Sequence, residues 1–191
     1  MRFSYYRRLT AGQKAVYRRS DQVRDLPLPD PERHRPGVDR LAAALAAEDR
    51  RAVTAAARSL CAGLCRGLGV AAPRVEVLAI RPRNAGGELH GIYTYGGEDP
   101  PVLRVWMRTA VHRRTVAFRT FLRVLLHELC HHLDVELLHL PTSFHTEGFY
   151  ARESALVRRL APAPPRRRAR DAARPADAPA PAEPPQLDLF R

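Results

Sequence analysis

The sequence predicts an α+β domain, and three observations predict it. Apolar residues recur at helical spacing on both sides of the chain's middle. Between about Val75 and Met107 the pattern changes to short apolar runs separated by glycine pairs. The order is therefore helices, a small mixed or antiparallel sheet, then helices, rather than a strict alternation of strand and helix.

The elements follow in order. Thr10-Ala11-Gly12-Gln13 has capping-box spacing, so a short helix runs from there to about Ser20. Pro27, Pro29, Pro31 and Pro36 then interrupt the chain. From about Val38 to Leu68, apolar residues at Leu41, Leu45, Val53, Ala57, Leu60 and Leu64 predict one long helix closed by Gly67 and Gly69. Cys61 and Cys65 lie one turn apart on it without two further metal-type partners nearby, and read as small buried residues. After Pro73, Val75, Val77 and Leu78–Ile80 predict a strand, Gly86-Gly87 a turn, Leu89 to Tyr95 a second strand, and Val102 to Met107 a third. From Thr115 to about Leu140 the helical spacing returns at Phe118, Leu122, Leu125, Leu129, Leu133 and Leu137, with Pro141 as the stop. A last helix is expected from about Thr146 to Leu160.

The chain has 191 residues, enough for one ordinary domain and a tail. The predicted organisation is a basic N-terminal segment (1–37), the domain (38–160), a disordered Pro/Ala/Arg linker (161–185) and a terminal peptide (186–191). A body of about 160 residues buries roughly 70% of its unfolded surface, so it needs no disulfide or structural metal for stability. No apolar run reaches the roughly 18 residues of a membrane span, and the first residues lack the apolar stretch of a secretory signal. Three cysteines make no disulfide framework, so the expected location is the reducing cytoplasm. The net charge of +12 fits an acidic partner such as DNA. Lys14 is the only lysine, however, and an Arg-, Ala- and Pro-rich composition also follows from GC-rich coding, so a solvated coat fits equally well.

His127-Glu128-Leu129-Cys130-His131 is the sharpest feature. Two histidines four apart project from one face of a helix, one turn apart, and can share one Zn²⁺ at about 2.0–2.1 Å each. Glu128, beside the first of them, is placed to act as a general base on water rather than as a ligand. This is the HExxH pattern of zinc proteases. A catalytic zinc needs a third protein ligand and an open position. His132 points about 100° away from His131, and His139 lies about 12 Å of helix rise beyond it. His145, past the Pro141 turn, is the first choice; Glu147 and Glu153 are the carboxylate alternatives. Asp134 reads either as the acceptor that orients a ligand imidazole or as a surface acid.

The strand VLRVWM, the helix carrying HELCHH and a histidine fourteen positions on, with Phe149 after it, resemble the SprT-like zinc metalloproteases, which include the DNA-associated protease Spartan. The resemblance covers about residues 70–160. It implies a zincin-like fold with the HExxH helix at the active site, zinc as cofactor, His127, His131 and His145 as ligands, and Glu128 as base. It implies proteolysis of proteins bound or crosslinked to DNA. The chain departs from the family at Thr146, where a glycine usually follows the third histidine, and in having no cysteine-rich ribbon after the domain. A substrate backbone is expected to add along an exposed strand edge at Val102–Met107.

Gln186-Leu187-Asp188-Leu189-Phe190 resembles the bacterial sliding-clamp-binding peptide QL(S/D)LF. Leu189 and Phe190 would fill an apolar pocket on the DNA polymerase clamp, Leu187 would add contact and Gln186 would add hydrogen bonds. Large apolar residues are otherwise scarce after Leu160. The alternative to a protease is a non-catalytic zinc-containing adaptor that links the clamp to DNA or another factor; a structural site has no need of Glu128. Tyr5, Tyr6, Tyr93 and Tyr95, near arginines, read either as base-stacking or as packing residues.

Overall fold

A computed structural model describes residues 3–84, 87–97 and 99–161. Thr10 and Gln13 form the capping box that their spacing predicts, and it opens α1 (Ala11–Gln22). The apolar stretch from Val38 to Leu68 is two helices rather than one: α2 (Arg35–Ala46) and α3 (Arg50–Gly67). The break has a local cause. Glu48 takes a left-handed φ of 55°, and the Asp49 side chain accepts the backbone N–H groups of Arg51 and Ala52, starting a new helix. Cys61 and Cys65 of α3 are buried free thiols, and so is Cys130 further along the chain.

Among the described residues five strands follow: β1 (Arg74–Ile80), a small antiparallel pair of β2 (Arg83–Asn84) and β3 (Gly87–Glu88), β4 (Gly91–Thr94) and β5 (Val102–Arg108). The main sheet has the order β1-β5-β4. β1 runs parallel to β5 with Val77 opposite Val105, and β4 runs antiparallel to it with Tyr93 opposite Leu103. The sheet is mixed, as α+β organisation allows. β5 is its centre, paired on both sides, so the edge expected at Val102–Met107 does not exist. The outer edge of β1 is covered by arginines from α3: Arg58 Nε donates to Val75 O at 2.8 Å and Arg50 donates to Val77 O at 3.4 Å. β4 forms the opposite edge, against the next helix.

That helix is α4 (Phe118–Glu136), and the last is α5 (Glu147–Leu160), capped by Thr146 Oγ1 accepting from Phe149 N. α4 ends before the predicted Leu140. His139 adopts φ 50°, and the N–H groups of Leu138 and Leu140 turn back to Leu133 O and Asp134 O. Pro141 thus follows a stop already made. Phe121, Leu122, Leu125, Leu129 and Leu133 of α4 are buried in one core with Val75, Val77, Leu103, Val105 and Met107 of the sheet and Leu60 and Leu64 of α3. Each such side chain contributes roughly 1.5–3 kcal/mol. The core fixes α4 on the sheet and so fixes what its exposed face carries. Ala161, assigned to the linker by composition, packs into this core. The remaining linker and the peptide Gln186–Arg191 lie outside the described residues. Among the described residues no helix is long and apolar enough to cross a membrane.

Candidate metal centre

α4 presents His127 and His131 one turn apart, and the loop between α4 and α5 brings His145 back over them. His145 Nε2 lies 3.0 Å from His127 Nε2 and 3.1 Å from His131 Nε2. Among the described residues, these three histidines are the group of ligand atoms close enough to hold a metal ion. The other residues considered for the third position are elsewhere. His132 is buried: its Nε2–H donates to Ala71 O at 2.8 Å, leaving Nδ1 to accept the Tyr93 hydroxyl at 3.0 Å. His139 is exposed in the turn, and Glu147 opens α5.

Glu153 is at the site in a different role. Its Oε2 accepts from His127 Nδ1 at 3.0 Å and its Oε1 accepts from Arg123 at 2.7 Å. His131 is held by a relay: its Nδ1–H donates to Ser143 Oγ at 2.7 Å, and Ser143 donates to Asp134 Oδ2 at 2.7 Å. Asp134 is therefore the orienting acid, acting through a serine. It is fully buried, and Arg152 grips both of its oxygens at 2.6 and 2.7 Å. Burial raises the Asp134 pKa and the guanidinium opposes the rise.

These contacts decide what the site can bind. With Nδ1 of His127 and His131 committed as donors, both Nε2 atoms present lone pairs to the same point. His145 can donate to one of them but not to both. A cation satisfies all three, and tetrahedral binding at about 2.0–2.1 Å needs nitrogens about 3.3 Å apart, close to what is seen. Burial, followed by the neighbouring imidazoles, lowers His145 to about 4 and holds His131 well below its ordinary value, so both are neutral and ready to bind. Three imidazoles with oriented Nδ1 groups fit a divalent ion of the zinc type.

Glu128 is turned toward the sheet edge. It is 7% exposed, and burial raises its pKa to about 7 against the pull of His127 and of a hydrogen bond from the Tyr93 backbone. Gly91 makes room for it: a Cβ there would lie 2.5 Å from Glu128 Oε1 and 2.7 Å from its Cγ. The base candidate thus sits between α4 and the edge strand β4.

Sequence reading missed Ser143, Arg152, Gly91 and Tyr93 as parts of this site. A glycine inside a strand pattern signals a close approach, so Gly91 carried a usable sign. Arg152 and Ser143 carried none, because their roles depend on where two loops and α1 dock. The chain matches no protein-family model, no curated protein and no solved structure.

Proposed function

We propose that this chain is a zinc-dependent metalloprotease of the SprT-like type, with a zincin-like fold. The observation that carries the reading is the convergence of three imidazoles, with His145 Nε2 at 3.0 and 3.1 Å from the Nε2 atoms of His127 and His131, next to a buried carboxylate one residue from the first of them. His127, His131 and His145 would hold the zinc, which when bound supplies Lewis acidity and lowers the pKa of water to about 7. Glu128 takes the proton of an attacking water and returns it to the leaving amine; a pKa near 7 suits both transfers. The Tyr93 N–H orients that carboxylate. The substrate backbone pairs along β4, the edge strand beside α4, flanking the Tyr93 N–H that holds Glu128, in place of the β5 edge that the sequence suggested.

The substrates we propose are proteins bound or crosslinked to DNA. Gln186, Leu187, Asp188, Leu189 and Phe190 would tether the enzyme to the sliding clamp through the Pro/Ala/Arg-rich segment before them, and the arginine-rich surface would add DNA contact.

The deciding experiment compares the wild type with Glu128→Gln, each with metal content measured, on a protein bound to DNA. The expected result is one zinc per chain in both and cleavage by the wild type alone. Zinc without cleavage by the wild type would favour the adaptor. Removal of residues 186–191 is expected to abolish clamp binding; unchanged affinity would leave a general peptidase.

A further inference from the structure

The loop that carries His145 has little structure of its own. Between the end of α4 and Thr146 no residue is helical or in a strand, yet His145 must return to within about 3 Å of two other rings. Something outside the loop must hold it, since a ligand on a free loop loses affinity to ordering entropy.

Three of its tethers come from the N-terminal segment, which composition set apart from the domain. Tyr5 donates its hydroxyl to the His145 carbonyl at 2.6 Å. Ser20 Oγ lies 3.3 Å from Thr146 Oγ1, and Arg19 donates to Leu138 O at 3.4 Å. The Tyr5 and Tyr17 rings pack on Phe144, with centroids 6.4 and 6.2 Å away. The end of α1 is in turn pinned to α5. Asp21 accepts from Gly148 N at 2.8 Å, and Gly148 lies so close that a Cβ would sit 2.4 Å from Asp21 O. Arg152 donates to Ser20 O and Val23 O while holding Asp134, which reaches His131 through Ser143. The segment therefore touches the supports of two of the three imidazoles.

We propose that Tyr5, Tyr17, Arg19, Ser20 and Asp21 brace the loop and helix end around His145, and that Tyr5 is a positioning residue which sets metal affinity by fixing His145. Bonding of the His145 carbonyl fixes the peptide plane that follows it, and with it the direction in which the imidazole leaves the backbone. Tyr5 touches neither the metal position nor the reacting atoms; it acts through the loop. This rests on the three histidines being metal ligands, as proposed above.

The test is a Zn²⁺ titration against a competing chelator on the full chain, for the wild type, Tyr5→Phe and Tyr6→Phe. Tyr6 is a neighbouring tyrosine whose hydroxyl accepts from Arg18. The expected result is affinity about three- to tenfold weaker in Tyr5→Phe, the worth of one hydrogen bond, and unchanged in Tyr6→Phe. The thermal midpoint of the metal-free Tyr5→Phe protein is expected to fall by no more than about 2–4 °C, the cost of one hydrogen bond, so the variant stays folded. Its cobalt-substituted form should show a shifted visible spectrum. Equal affinity in Tyr5→Phe and wild type, or an equal loss in Tyr6→Phe, overturns the inference and leaves the metal site standing. A wild type that takes up no Zn²⁺ overturns the site itself and the inference with it.

Discussion

His127 Nδ1 donates to Glu153 Oε2 at 3.0 Å, so the glutamate weighed for the third ligand position instead holds His127, the first of the proposed ligands, in place. The same carboxylate accepts from Arg123 and is 3% exposed, which leaves no oxygen to turn toward the ion. The two roles separate experimentally. Glu153→Ala is expected to weaken zinc affinity by roughly 10- to 100-fold while keeping one binding site, the usual cost of losing an outer hydrogen-bond partner. His145→Ala is expected to lose stoichiometric zinc at neutral pH. Chelator competition on both variants checks this, and the reverse pattern would make Glu153 the ligand.

Gly91 and Glu128 give a second prediction. In Gly91→Ala, the added methyl group would lie 2.5 Å from Glu128 Oε1, closer than the two atoms can pack, and the carboxylate is too enclosed to swing away freely. The expected outcome is proteolysis lowered by about 100-fold, the scale of a 1 Å misplacement, with zinc content unchanged. Metal analysis alongside a peptide-cleavage assay distinguishes this from loss of the site. Full activity in Gly91→Ala would remove Glu128 from the role of base.

Much of this was legible in the sequence, and the rest was hidden for physical reasons. Helix spacing placed His127 and His131 on one face, and the Pro141 turn marked where His145 could return, because both follow from local geometry. The capping box at Thr10 likewise needs only neighbours. The break at Glu48 was missed because alanine-rich helix sequence continues through it; the left-handed residue and the Asp49 cap decide the matter. The centrality of β5 was missed because strand order depends on parallel pairing with β1 across a long connection, which leaves no local sign. Arg152 carries no local sign of its role. Its burial depends on meeting Asp134 from α4 and the end of α1 in one place.

That meeting makes Arg152 the most exacting position in the fold. It is fully buried, bonded to Asp134 and to the Ser20 and Val23 carbonyls. Arg152→Met keeps most of its length but leaves the Asp134 charge without its counterion, Val23 O without the Arg152 donor, and Ser20 O with the Val23 N–H alone. The expected destabilisation is about 3–5 kcal/mol, measured by urea unfolding of the metal-free protein. Asp134→Asn in the same background is expected to recover part of it, since the uncompensated charge goes. A loss under about 1 kcal/mol in Arg152→Met would mean the network contributes little.

Glu128 predicts a pH dependence whose sign identifies it. Burial raises its folded pKa to about 7 from an ordinary 4.5. A raised pKa means that the folded state holds the proton more tightly, so the contribution to stability is present in full below about 4.5. It is lost as pH rises, and the loss is complete once the pH passes 7. Glu128→Gln has no such proton. In the metal-free protein the variant should therefore match the wild type near pH 4.5, gain steadily on it up to pH 7, and hold a constant lead of up to about 3 kcal/mol above that. Denaturant unfolding of both proteins across pH 4.5–8 gives the difference directly, and comparing the two cancels the opposite titration of His145. A flat difference would mean that the carboxylate is solvated in the folded protein, and it would then lack the neutral-range proton affinity that the proposed general base needs.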